Sequence, residues 1–115
     1  MHIDQYAFGC VTVDGRQFTS DIVIYPDGSI QDNWWRARGH RLEPDDIRPV
    51  LNAGPAKIFV GTGANGLMRL SERLTAACEK QGILLVACPT DEAVKQYNAA
   101  VRAGLAVAAC LHVGC

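Results

Sequence analysis

Three short apolar runs dominate the second half of the chain: Lys57 to Val60, Ile83 to Cys88 and Leu105 to Val113. Each is too short for a buried helix and suits a buried strand. Helical segments separate them. Leu67 to Gln81 places Leu70, Leu74 and Cys78 four apart on one face, with Gly82 at the position that ends a helix. The next helix starts at Pro89-Thr90, with Thr90 as its N-cap and Asp91 and Glu92 in its first turn. Ala93, Val94, Tyr97 and Val101 form its apolar stripe, and Gly104 ends it. Strand–helix–strand connections of this length bring the strands parallel or mixed, with helices packed on the sheet. Ile83 to Cys88 reads as a strand covered on both faces.

The first third reads differently. Tyr6 to Val13 and Arg16 to Tyr25 are rich in β-branched and aromatic residues, and Asp14-Gly15 between them is a two-residue hairpin signal. Pro26-Asp27-Gly28 turns the chain again, into Ser29 to Trp35, for a meander of about three strands. Pro44 opens a short helix to about Asn52, with Asp45 and Asp46 in its first turn and Pro49 as an obstacle within it. The expected fold is α/β: one three-layer domain over residues 1–115, with a mixed central sheet, helices, and an N-terminal β-hairpin as an additional layer.

Composition narrows the function. The chain has 115 residues, 49% of them hydrophobic and 20% charged, which is globular and enough for a core without staples. A net charge of -1 gives no overall field for nucleic acid or an anionic membrane, and no apolar run reaches the length of a membrane span. Met1-His2-Ile3-Asp4 has neither the basic nor the apolar region of a secretion signal, so a cytoplasmic protein is expected. The five scattered cysteines argue for packing thiols rather than a disulfide framework. Monomer and homodimer both remain open.

Two stretches carry candidate chemistry. Gly61-Thr62-Gly63-Ala64-Asn65-Gly66 follows a strand and precedes a helical pattern. Such a turn exposes amides at a helix N-terminus, where peptide dipoles favour an anion. It matches G-x-G-x-x-G, but the acidic residue that a dinucleotide fold needs at the end of the next strand is replaced by Ala87-Cys88-Pro89, and no Gly-Lys-Ser/Thr makes a Walker loop. No cofactor is expected. A tight packing turn and a small-anion site are the two readings left. The second stretch, Asn33 to Arg41, holds both tryptophans and three arginines. If this piece is extended, alternation keeps Trp34 and Trp35 out of one core layer, and two readings stand. One ring plugs the gap between the hairpin and the main sheet while the other lines an anion or partner site rimmed by Arg36, Arg38 and His40, or the tryptophans are a layer-closing pair with solvated arginines. The candidate ligand-binding set is Gly61, Thr62, Gly63, Gly66, Trp35, Arg36, His40 and Arg69. Cys110-x-His112-x-x-Cys115 has no evident fourth ligand, so no metal is expected, and His112 reads as a buried, hydrogen-bonded histidine at a strand end. Cys88 stands just before a helix start, where a thiolate would be stabilised. No nucleophile elbow or paired-carboxylate motif assigns catalytic residues.

Several pieces, in order through the chain, resemble one family: Trp34-Trp35-Arg36 with Gly39-His40, Phe59-Val60-Gly61-Thr62-Gly63 with Gly66, Thr90-Asp91-Glu92-Ala93 with Tyr97-Asn98, and Val107-Ala108-Ala109 with Leu111-His112. This is the family of small α/β domains of unknown function that includes the adipogenesis-associated domain-containing protein of animals and an assembly factor of mitochondrial respiratory complex I. The resemblance implies a three-layer fold with a mixed sheet and an added hairpin, no settled enzyme activity, and an assembly or scaffolding role. Two functions follow as expectations. The first is a non-enzymatic domain that docks a protein partner through Trp35, Arg36, Arg38 and the nearby hairpin. The alternative is an enzyme or sensor for a small anionic metabolite held at the Gly61–Gly66 turn, with charge from Arg36 or Arg69 and His40 as the proton-transfer candidate.

Overall fold

The Asp14-Gly15 turn forms as its residues require: Asp14 at φ 47° and Gly15 at φ 81° join Cys10–Val13 (β2) to Arg16–Phe18 (β3) as an antiparallel hairpin. The computed structural model describes residues 1–114. A second turn at Phe8-Gly9, with Gly9 at φ 80°, splits the expected strand Tyr6–Val13 into Ile3–Ala7 (β1) and β2. These three strands make one small antiparallel sheet in the order β1-β2-β3. The run Arg16–Tyr25 also divides. Its second part, Ile22–Ile24 (β4), leaves the hairpin at Thr19 to Asp21 and enters the central sheet. Of Ser29–Trp35 only Ile30–Gln31 (β5) is a strand, because Asn33 takes a left-handed φ of 48°.

The central sheet has the order β5-β4-β10-β7-β9, with Lys57–Thr62 as β7, Leu84–Cys88 as β9 and Val107–His112 as β10. It is mixed: β10 runs parallel to β7 and antiparallel to β4. Alternation along β10 divides the interior into two cores. Val107, Ala109 and Leu111 face Thr90–Arg102 (α3) and the β1–β3 sheet, where Val11, Ile22, Phe59 and Tyr97 pack. Ala108 and Cys110 face the other way, toward Arg48–Ala53 (α1), Glu72–Gln81 (α2) and Trp34. The three layers are therefore α3 with the small β-sheet, the central sheet, and α1 with α2.

Four local expectations are corrected. Leu67 to Leu70 are not helical. Arg69–Leu70 (β8) pairs in parallel with Arg41–Leu42 (β6), and α2 starts only after Ser71, whose Oγ accepts the Leu74 N–H at 3.1 Å. β9 is an edge strand rather than a strand covered on both faces, and Leu84 is 54% exposed. The helix expected from Pro44 is a 3₁₀ turn, Pro44–Ile47, followed by α1, with Pro49 in the first turn of α1, where its missing N–H leaves no helical bond unmade. The N-cap of α3 is Pro89, and Thr90 lies inside the helix with its side chain committed elsewhere. Gly82, at φ 72°, ends α2 as expected.

Candidate functional site

Asp21 immediately precedes β4 and His112 ends β10, so the antiparallel pairing of those strands, with Leu111 opposite Ile22, brings the two side chains together. Asp21 Oδ2 lies 2.9 Å from His112 Nδ1, and Asp21 Oδ1 accepts the Val113 N–H at 2.8 Å. A carboxylate only accepts, so in this contact Nδ1 is the donor. Arg36 Nη1 stands 2.9 Å from the same Oδ2 but out of line for a hydrogen bond, so the pair is an ion contact rather than an aligned fork. The rest of the guanidinium is held firmly. Nε donates to Gly39 O at 3.0 Å, and the group lies 4.7 Å above the Trp34 ring. With its side chain only 5% exposed, Arg36 depends on Asp21 for charge balance.

Asp46 anchors the stretch from Trp34 to Glu43 at three points. Its carbonyl accepts the Trp34 indole N–H at 3.0 Å, and its carboxylate accepts the Ala37 N–H at 3.0 Å and the Glu43 N–H at 2.8 Å. Ser20 Oγ accepts the Asn33 N–H at 2.9 Å, and Asp21 O accepts the Trp34 N–H at 3.0 Å. Trp34 is thereby seated in the core, while Trp35 turns outward and is 84% exposed. It stands at the mouth of a cleft of about 430 Å³ whose walls include Ser20, Asp21, Asn33, Arg36 and His112.

A second cleft, of about 630 Å³, opens on the other side of this loop, lined by His40, Arg41, Arg69 and Arg73 and by Ser71 and Glu72 at the start of α2. The β6–β8 pairing builds it, with the Arg69 N–H donating to His40 O at 2.8 Å. Glu43 faces Arg41 Nε at 3.0 Å and Arg73 Nη2 at 3.2 Å. A hydrogen bond from the Ser71 side chain, followed by Arg73 and Arg41, holds its carboxyl below the usual range. The His40 and His112 rings meet edge to face at 5.7 Å, which links the two clefts.

The Gly61–Gly66 turn is not a helix N-terminus. The Gly63 N–H donates to Thr90 Oγ1 at 2.9 Å, the Ala64 N–H to Gly114 O at 3.0 Å, the Gly66 N–H to Gly63 O at 3.2 Å and the Met68 N–H to Thr62 O at 3.1 Å. These amides have no free donor for an anion. Gly61 is required for close approach: a Cβ there would meet Thr90 Oγ1 at 2.8 Å, Thr90 Cγ2 at 3.0 Å and Leu111 Cδ2 at 3.1 Å. The candidate residues thus divide. Trp35 and Arg36 share the first cleft, and His40 and Arg69 the second. Thr62, Gly66 and Arg69 border a third cleft of about 420 Å³ beside Cys88, while Gly61 and Gly63 are buried. Burial, with Glu92 and Asp91 nearby, pushes the Cys88 thiol up, the opposite of an activated thiolate. Among the described residues no three His, Cys, Asp or Glu side chains gather as a metal site, and Cys115 lies outside them.

Asp21, Asp46 and Thr90 were not among the candidates. Asp21 ends the polar stretch Thr19-Ser20-Asp21 just before the apolar run Ile22 to Tyr25, a place that reads as an ordinary strand start. The reach of Asp46 back to residues 34 and 37 carried no signal in the sequence.

Residues 3–112 match the family described as Protein of unknown function (DUF498/DUF598). The chain is similar to the solved structure named MT938, at 30% identity over 99% of this chain and 98% of that one, with a TM-score of 0.82. It is similar to the conserved hypothetical protein PH1505 from Pyrococcus horikoshii OT3, at 28% identity over the full length of both chains and a TM-score of 0.83. A protein from Bartonella henselae described as an outer membrane protein matches at 26% identity, over 97% of this chain and 93% of that one, with a TM-score of 0.83. No helix among the described residues is long and apolar enough to cross a membrane.

Proposed function

The chain belongs to the DUF498/DUF598 family, whose function is unknown, and on that premise we propose that it is a non-enzymatic interaction domain that docks and helps assemble a protein partner. The observation that carries this reading is the pairing of Trp34 and Trp35. One indole is clamped by Asp46 and Arg36, and through the same backbone it presents the next, 84% exposed, beside a cleft. An aromatic anchor on a pre-ordered loop loses little entropy on binding, and exposed tryptophans are frequent binding hot spots. The resemblance to a family with an assembly factor points the same way. In this reading the domain works in the cytoplasm.

The test is capture of a partner from the native host by the tagged protein, compared with W35A. A stoichiometric partner that binds wild type and is lost from W35A supports docking at this loop. Equal capture by both, or recovery of the bare protein from both, overturns it.

A second reading is favoured by one observation: His40 and Arg69, both candidates for holding a small anionic metabolite, line one cleft with Arg41 and Arg73. Millimolar phosphates and carboxylates should then raise the melting temperature, since a ligand at about 100 times its Kd adds roughly 2.7 kcal/mol. Unmoved melting curves refute it.

A further inference from the structure

Cations are unevenly placed on this molecule. The chain carries a net charge of -1, yet Arg36, Arg38, Arg41, Arg69 and Arg73, five of its 11 Lys and Arg residues, are drawn to the Trp35 loop, the strands beside it and the first turn of α2. Three are answered locally. Arg36 faces Asp21, and Arg41 and Arg73 share Glu43. Arg38 and Arg69 are exposed and have no side-chain partner among the described residues. The start of α2 opens on the same cleft as Arg69 and adds a partial positive charge. Residues 35–41 form a ridge between the two clefts, with Trp35 on one flank and His40 and Arg41 on the other. Whatever covers this ridge meets the exposed ring of Trp35 on the side of the first cleft, the exposed Arg38 within the ridge and the exposed Arg69 on the side of the second cleft.

Building on the docking reading above, we infer that the partner presents an acidic polypeptide segment, which packs an apolar side chain on Trp35 and sets carboxylates against Arg38 and Arg69. Guanidinium groups bind carboxylates in forked, charge-assisted pairs, and complementary charge fixes register and speeds encounter. An extended polyanion such as nucleic acid suits the surface less. Glu43, Glu72 and Asp45 lie in or beside the same clefts and interrupt the positive field.

The probe is a tryptophan-free peptide of six glutamates flanked by phenylalanines, followed through the protein's tryptophan emission. W35F identifies the reporter, because Trp34 is unchanged in both proteins. The expected result is a saturable change that weakens about fivefold when salt is raised from 50 to 200 mM, as screening of a few exposed charges requires. The affinity should fall about tenfold or more in R38E/R69E, where like charges oppose the ligand. The same peptide with lysines should give no change. Both arginines are exposed, so R38E/R69E should melt with wild type, which separates lost binding from lost folding. No glutamate binding, binding unchanged by R38E/R69E, or equal binding of a short single-stranded DNA overturns the inference. Partner capture separates the two claims. If R38E/R69E keeps the partner and W35A loses it, docking stands and its acidic chemistry falls. If W35A also keeps it, the docking reading itself has failed.

Discussion

Thr90 carries the connection between the glycine turn and the central strand, and its replacement by valine isolates that connection. Its hydroxyl donates to His112 O at 2.6 Å and accepts the Gly63 N–H at 2.9 Å, and the residue is fully buried. Valine keeps the shape and removes both bonds, leaving a donor and an acceptor buried. Each such group costs about 1–3 kcal/mol, so T90V should lose about 2–6 kcal/mol in all. For a domain of this size that is a fall in melting temperature of roughly 8–24 °C. T90S keeps the oxygen and loses one methyl, about 1 kcal/mol. Urea unfolding followed by circular dichroism, with an unchanged slope, supplies the free energies. Gly61 extends the test. A Cβ there collides with Thr90, so G61A should cost about 1–3 kcal/mol by overpacking and less in a T90A background, where both crowding atoms of Thr90 are gone. Wild-type stability in T90V, or T90S falling as far as T90V, would refute the assignment of the turn to these bonds.

Three further outcomes follow from the same geometry. W34A should destabilise by about 3–5 kcal/mol in urea unfolding while W35A stays within roughly 0.5 kcal/mol, since one indole is core and the other meets solvent. D21N should cost about 3–5 kcal/mol, because it leaves the Arg36 charge buried without its counterion, and the added D21N/R36M change should recover part of that loss. Burial pushes Cys110 from 9.0 and Tyr97 from 10.0 to about 12 in the folded state. The folded form thus keeps its protons where the unfolded chain releases them, so this stability is complete below about pH 9 and is lost as pH climbs toward 12. The urea midpoint should drop across that window, and less steeply in C110A.

The fold was legible where one local rule acted alone. Asp14-Gly15 favours the positive φ of a tight hairpin, Gly82 ends a helix, and the unbroken apolar run that holds β10 reads as a buried strand. It was misread where tertiary pairing overrode a local pattern. Leu67 to Leu70 continue the helical spacing of α2, but β6 supplies a strand partner and Ser71 supplies a better cap. Leu84 to Cys88 are apolar enough for a central strand, yet nothing in their own residues tells that β7 pairs with β10 on its other side. At the candidate site the split of Trp34 from Trp35 was expected from strand alternation, but both lie beyond β5 in a loop, and Trp34 is seated instead by its indole bond to Asp46 O. The Asp21–His112 contact spans 91 residues and becomes visible only once β4 and β10 are known to be neighbours. The glycines marked a special turn correctly, but their spacing does not distinguish an open cradle from one that a threonine hydroxyl has closed.

The position of β10 between β4 and β7 also constrains the order of events during synthesis. Until residues 107–112 leave the ribosome, the two earlier strands have no common neighbour, and each presents an unsatisfied edge. The N-terminal hairpin can form early from contacts close in sequence, whereas the sheet closes late and over long loops. A nascent chain of this kind is most exposed to wrong pairing in the interval before its last strand arrives.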